Sequence, residues 1–262
     1  MRSSTRIITV ANQKGGVGKS TTCLALCAGF AEKGYKVLGI DLDPQGSFTT
    51  SSGVQNNEDV STAYSLLKGD CTLEEAVQHS DMGFDVVASG DVLMYVEGQI
   101  PMSMGRNYRL TDQLEKSDLE YDYIIIDVPP SLGFFTLNAL TASTDVLIPT
   151  VADPYSLDGI IKLSQTIDDV REYNVRHPGM PRILGVVLTM YDQRPTINQI
   201  STEMAENICD AIKTKLFDTK IRVNVAIKSA HTYKKSVFQY NRGCNAALDY
   251  AALVDELTAT HS

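Results

Sequence analysis

The sequence predicts an α/β fold in which a mostly parallel, twisted sheet is covered by helices on both faces. Three observations predict it. Short apolar runs alternate with helical spacings along the whole chain. Several runs are apolar at consecutive positions, Ile7-Ile8-Thr9-Val10-Ala11 and Tyr123-Ile124-Ile125-Ile126 above all, as strands buried on both sides must be. The first run passes directly into a glycine-rich turn and then a helix, the order of elements that parallel sheets use.

The elements follow in order. After the first strand and its glycine turn, Thr21 to Lys33 has helical spacing (Leu24, Cys27, Ala28, Ala31) and stops at Gly34. Lys36 to Asp41 is a short buried strand ending in acid. Small helical pieces fit Thr62–Leu67 and Leu73–Val77, and Phe84–Ala88 reads as a strand. Asn107 to Ser117 is amphipathic, with Leu110 and Leu114 four apart. Tyr121–Asp127 is the strongest strand, and a helix starts near Gly133. Strand Asp145–Thr150, helix Leu157–Tyr173, strand Ile183–Thr189 and helix Ile197–Lys215 come next. A strand-loop-helix passage then leads to the last helix, Ala246–Ala259. No linker, repeat or low-complexity stretch interrupts the series, so residues 1–262 are expected to form one domain.

Composition excludes several classes. A chain of 262 residues, 43% hydrophobic, can bury a sizeable core without disulfides. No apolar run is long enough to span a bilayer, and Met1 to Arg6 leaves no room for a signal peptide, so a cytoplasmic location is expected. The five cysteines are odd in number and scattered. Cys23 and Cys27 lie one helical turn apart but have no second pair with metal spacing, so they read as reduced thiols. Formal charge is −9, yet eight basic residues between Lys213 and Arg242 face only Asp218, which marks that window as a place for polyanion contact.

The glycine turn reads Lys14-Gly15-Gly16-Val17-Gly18-Lys19-Ser20-Thr21. Its chemistry is that of a nucleotide-triphosphate cradle. Glycines let backbone N–H groups turn inward onto phosphate oxygens, Lys19 can reach the outer phosphates, Ser20 offers a hydroxyl to Mg²⁺, and the helix points its positive end at the anion. Gln13 stands where the usual loop has its first glycine, and a second lysine, Lys14, stands at the front. A lysine so placed can serve a nucleotide in a neighbouring subunit.

Two acidic segments narrow the class. Asp41-Leu42-Asp43-Pro44-Gln45-Gly46 follows the second strand, and Asp127-Val128-Pro129-Pro130-Ser131 follows the strongest one. Ligands of open α/β sheets collect at the carboxyl ends of the strands, so these segments should meet the glycine loop there. Asp127 is placed to hold Mg²⁺ through water. Asp41 and Asp43 would alternate in direction, one supporting the metal region and the other facing the attacking water.

These residues carry a family resemblance. Asn12 to Thr21, Asp41-Leu-Asp-Pro-Gln-Gly46, Tyr123 to Gly133, Asn138-Ala-Leu-Thr-Ala142 and Leu188-Thr-Met-Tyr-Asp-Gln-Arg194 resemble the ParA/Soj class of partition ATPases, relatives of MinD and the nitrogenase iron protein. The likeness runs end to end and is weakest around residues 54–120. It implies a single P-loop NTPase domain and an ATP-sandwich homodimer in which Lys14 crosses to the partner's phosphates. Asp43 would orient the hydrolytic water, while Ser20 and Asp127 serve Mg²⁺. Adenine-side contacts would fall near Met190 and in the stretch that holds Arg222 and Asn224. It also implies non-specific DNA binding, hence association with the nucleoid, and release when a centromere-binding ParB-type partner stimulates slow ATP hydrolysis. Lys228, Lys234 and Lys235, then Arg242 and Arg194, are the expected DNA contacts.

This chain departs from its relatives at Ala226, where arginine is common, at Ser229-Ala230, where a glutamate-alanine pair is common, and at Lys234-Lys235, where glycine-lysine is usual. No helix-turn-helix extension is expected before the first strand. The rival expectation is a MinD-like membrane-cycling ATPase, which needs a basic amphipathic helix at its C-terminus. Leu253 to Ser262 is short of basic residues and of a long apolar face, so no membrane contact is expected.

Overall fold

Unbroken burial marks the three central strands: β1 (Arg6–Val10), β2 (Val37–Asp41) and β5 (Tyr123–Asp127) are each buried along their whole length. A strand with no wet face must lie between two layers, which parallel pairing with helical crossovers supplies. The computed structural model describes residues 5–57, 59–101, 105–151, 153, 156–192 and 194–259, without the side chains of 195–198. Met1 to Ser4, and Thr260 to Ser262 of the C-terminal stretch considered above, lie outside the described residues. Adding β3 (Val77–Ser80), β4 (Phe84–Val87), β6 (Asp145–Thr150) and β7 (Arg182–Leu188) gives one seven-stranded sheet in the order β3-β4-β2-β5-β1-β6-β7. Every pairing is parallel except that of β3 with β4.

Helices cover both faces. On one, α1 (Lys19–Glu32) packs with α2 (Ser47–Ser52), α10 (Val225–Thr232), α11 (Val237–Tyr240) and α12 (Asn245–Ala259). On the other lie α3 (Ala63–Lys68), α4 (Leu73–Ala76), α5 (Val96–Gln99), α6 (Arg109–Lys116), α7 (Phe134–Ala142), α8 (Ser156–Tyr173) and α9 (Pro195–Ala211). Gly39, mid-strand in β2, shows how close these layers come. A Cβ there would sit 2.3 Å from the ring of the fully buried Phe48, so only glycine lets α2 dock. The apolar face of α12 is spent inside the molecule, with Tyr250, Leu253, Val254 and Leu257 all buried.

Register decides where the site forms. Val10 of β1 and Asp41 of β2 are both paired with Asp127 of β5, so the carboxyl ends of three adjacent strands finish level. The loops that follow them must then share one crevice.

Three local expectations needed correction. The passage between α9 and α12 forms no full strand. It contributes isolated bridges, Leu216 to Val186 and Arg222 to Tyr191, and then two short helices. The helix expected to reach Lys215 ends at Ala211, because Lys213 adopts φ +53, outside helical backbone. Residues 77–80 add an antiparallel edge strand. Val-Gln-His-Ser has too little apolar pattern to announce one, and it forms by pairing with β4.

Candidate active site

The glycine loop joins β1 to α1, and its backbone is held by side chains from neighbouring strands. Asn12 donates from Nδ2 to the Pro149 carbonyl (2.8 Å) and accepts at Oδ1 from the Lys14 N–H (2.9 Å). Thr189 donates to the Val17 carbonyl (2.9 Å), pinning the loop's only bulky residue against β6 and β7. Gly16 and Gly18 take φ +75 and +83, a left-handed backbone open to glycine. Gly18 precedes α1 without a side-chain cap, so the first N–H groups of that helix remain open to an anion. A Cβ built on Gly15 or Gly16 meets nothing within 4 Å, so the space above the loop backbone is open.

Lys19 is buried, and its ammonium reaches across the loop to the Lys14 carbonyl (3.2 Å). Burial pulls its pKa down, while Asp127 and Asp43 hold it up. Lys14 pairs with Asp153 of the loop after β6. Both partners are partly exposed, so the pair contributes about 0–1 kcal/mol and yields readily to a phosphate.

The three acids have distinct surroundings. Asp41 is fully buried and both its oxygens are engaged: Oδ1 by the Asp43 N–H (3.0 Å), Oδ2 by the N–H (2.9 Å) and hydroxyl (2.7 Å) of Thr49. Burial lifts its pKa to about 6 against the pull of those bonds. Asp41, a possible metal ligand by its sequence position, fixes the turn that presents Asp43. Asp43 is buried at that turn, its carboxylate accepting from the Gln45 N–H (3.0 Å), while Ser89 donates to its carbonyl (2.7 Å). Ser89 also donates its N–H to Thr49 (2.8 Å), which closes a small network around the turn.

Asp127 differs. It is fully buried, its Oδ1 accepts a weak 3.6 Å contact from the Cys23 thiol, the Ser20 side chain lies against the carboxylate, and its Oδ2 makes no hydrogen bond. Burial and then Asp41 push its carboxyl well above the usual range, with Ser20 and Lys19 opposing. A buried orphan oxygen beside a phosphate cradle fits a hydrated Mg²⁺. Among the described residues no three His, Cys, Asp or Glu side chains converge as a metal cage. The same burial pushes the Cys23 and Cys27 thiols well up, so both are inert core residues.

A second pocket of about 380 Å³ opens beside Gly18 and Thr21, between Met190 and the run Ile221–Asn224. The structure thus brings Met190, Arg222 and Asn224 to one cavity next to the cradle, but two of their side chains are committed. Arg222 clamps Asp249 through Nε (2.9 Å) and Nη2 (2.5 Å), and Asn224 caps α10 by accepting from the Ala226 N–H (2.8 Å). Ile227, His231 and Tyr250 also line this cavity and were not anticipated, since only folding brings α10 and α12 to the loop. Burial draws the His231 pKa down, keeping it neutral.

The expected DNA contacts separate into groups. Lys228 lies at the rim of that cavity, Lys234 and Lys235 project from the end of α10, and all three are exposed. Arg242 is bonded to Glu32 (2.8 Å) and Arg194 to Asp192 (2.5 Å), so neither guanidinium is a free charge. The basic window therefore contributes fewer open cations than its sequence suggests.

Comparison with known proteins adds identity at the level of sequence and fold. Residues 5–177 match a family described as AAA domain. The chromosome partitioning protein ParA of Caulobacter vibrioides is 36% identical over 255 residues, covering 96% of this chain and 93% of that protein. The chromosome-partitioning ATPase Soj of Thermus thermophilus is 35% identical over 260 residues, covering 99% and 98%. Among solved structures, cobyrinic acid a,c-diamide synthase from Mycobacterium smegmatis with bound ATP analog and magnesium superimposes with a TM-score of 0.83 at 31% identity, over 97% of this chain and 94% of the other.

Proposed function

This chain belongs to the ParA/Soj family of P-loop ATPases, and from that premise we propose that its two-subunit, ATP-bound form holds DNA and releases it on hydrolysis. It is an ATPase of the partition class, and it works with ATP and Mg²⁺. The observation that supports this reading best is the convergence of Lys19, Asp43 and the orphan oxygen of Asp127 on the open glycine cradle.

Phosphoryl transfer asks for alignment and for compensation of charge on the γ-phosphoryl oxygens. The loop N–H groups and the α1 N-terminus bind the phosphates, and Lys19 moves from the Lys14 carbonyl to the outer phosphate. Ser20 and, through water, Asp127 would hold Mg²⁺, which would supply positive charge against that of the phosphates. Asp43, displayed by the Asp41–Thr49 turn, orients the attacking water. Lys14 leaves Asp153 and crosses to the nucleotide of a second copy, which makes charge compensation depend on dimerisation. Hydrolysis is therefore slow in isolation, and the turn at Asp43 and the segment after Asp127 sense the γ-phosphate. Met190 and the Ile221–Asn224 run close on the adenine, with Asn224 free to donate from its amide nitrogen. Residues 1–262 act as one domain. The dimer presents the exposed lysines of α10 twice, and phosphate contacts of this kind give affinity without sequence reading. A ParB-type partner supplies the stimulus for hydrolysis and release, which places the protein on the nucleoid.

The membrane-cycling alternative loses ground on one observation: the apolar face of α12 is packed against α1, so no lipid-facing stripe remains on the last described helix. Light scattering with ATP tests the central step. Lys14→Ala should stay monomeric and fail to bind duplex DNA, whereas intact ATP-dependent dimers of that variant would remove Lys14 from its role.

A further inference from the structure

The basic end of α10 carries aromatic surface that duplex binding does not need. Tyr233 and Tyr240 stack with ring centroids 5.9 Å apart and planes 17° from parallel, and they remain 66% and 38% exposed. Stacked tyrosines of this kind are normally buried in cores, where they remove apolar area from water. Here both side chains stay substantially wet. The α10–α11 knuckle holds it in place. The Lys235 N–H bonds to the Ala230 carbonyl (3.0 Å), the Tyr240 N–H to that of Ser236 (2.9 Å), and Ser236 and Gln239 form a capping box at the start of α11.

The charges that the knuckle segment itself carries are of one sign. Lys234 and Lys235 sit between the two rings in sequence, and among the described residues no acid pairs with either. From Thr219 to Arg242 the chain has no Asp or Glu. Lys234 adopts φ +50, and its stem lies over Gly53, where an added Cβ would sit 3.4 Å from it. Two acids border the knuckle: Glu32, which holds Arg242 (2.8 Å), and Asp81, whose backbone carbonyl accepts from Gln239 (2.9 Å).

A flat exposed aromatic flanked by unpaired cations is the arrangement that seats an unstacked base while its backbone lies along the charges. Duplex DNA keeps its base faces covered and offers nothing to such a ring. The geometry points to a site for single-stranded DNA on the α10–α11 knuckle, with Tyr233, backed by Tyr240, as the base-stacking platform and Lys234 and Lys235 as the phosphate contacts. This inference rests on the reading that the ATP-bound protein holds DNA, and it adds a preference that duplex contacts alone would not produce.

Fluorescence anisotropy tests it with full-length protein and ATP, using a labelled oligo-dT strand and a labelled duplex of equal length. Wild type should bind the strand at least as tightly as the duplex. Y233A/Y240A should lose about tenfold or more on the strand and less than about twofold on the duplex, because stacking is worth that much per base and the charges are untouched. Y233F should keep strand binding, since phenylalanine preserves the ring. Circular dichroism and ATPase rate identify a variant that has lost its fold, in which case Y233F and the single Y240A variant give the readout. Equal losses on both substrates, or unchanged strand affinity in Y233A/Y240A, would overturn the platform. Wild type that binds duplex and ignores the strand would overturn it while leaving the parent reading intact, and failure on both substrates would remove that reading as well.

Discussion

The nucleotide end of this molecule and its basic knuckle are built on opposite plans. Around the glycine loop Asn12, Asp41 and Thr49 are buried and held by bonds to others: Asn12 by two, Asp41 by three, Thr49 by the Asp41 carboxylate and the Ser89 N–H. On the knuckle, Lys234, Lys235 and Tyr233 are exposed and shaped mainly by backbone turns. The contrast teaches what each task demands. Phosphoryl transfer rewards groups fixed in advance at the reacting atoms, so geometry there is over-determined. Contact with a polyanion rewards summed charge, so position there can drift while function persists.

The comparison predicts steep effects at one end and graded effects at the other. Asp43→Ala should leave ATP bound within about threefold and lower turnover by about a hundredfold or more, read as phosphate release. Near-normal release would move the water-positioning role elsewhere. Asp127→Asn should lower Mg²⁺-dependent turnover by at least about tenfold, yet raise the stability of nucleotide-free protein by about 1–2 kcal/mol in urea unfolding. The native carboxyl titrates above its unfolded value, so its ionised form costs stability at neutral pH and that cost fades as pH falls through the raised range. The gain from asparagine should therefore be larger at pH 8 than at pH 5, and a gain that grows on acidification would contradict the burial argument.

Effects at the knuckle should be smaller. K234A/K235A should weaken duplex binding by about tenfold and reduce the slope of log K against log salt by about two, with ATPase activity in the absence of DNA unchanged. Arg242→Ala should change duplex affinity by less than about twofold, because its guanidinium is already held by Glu32. A loss at Arg242 as large as that at the lysines would mean the ion pair opens on DNA and the knuckle extends to α1.

Much of this protein could be read from its residues. The apolar runs at Ile7–Ala11 and Tyr123–Ile126 required buried parallel strands, since no other arrangement hides both faces. The glycine spacing before Lys19 required a phosphate loop, since backbone N–H groups can converge only where side chains are absent. Those are local demands, and local sequence states them. The edge strand at 77–80, the clamp of Arg222 by Asp249, and the pairing of Arg242 with Glu32 were not legible, because each joins residues far apart in the chain or too polar to show a pattern. Asp41 and Asp127 make the point most sharply. Both are acids closing apolar strands, and their sequence settings look alike. Only the packed structure separates them, by setting Thr49 and the Asp43 amide against the oxygens of one and leaving an oxygen of the other bare. A residue's type and spacing follow from the chain itself, but which lone pair remains unsatisfied depends on what the rest of the fold brings against it.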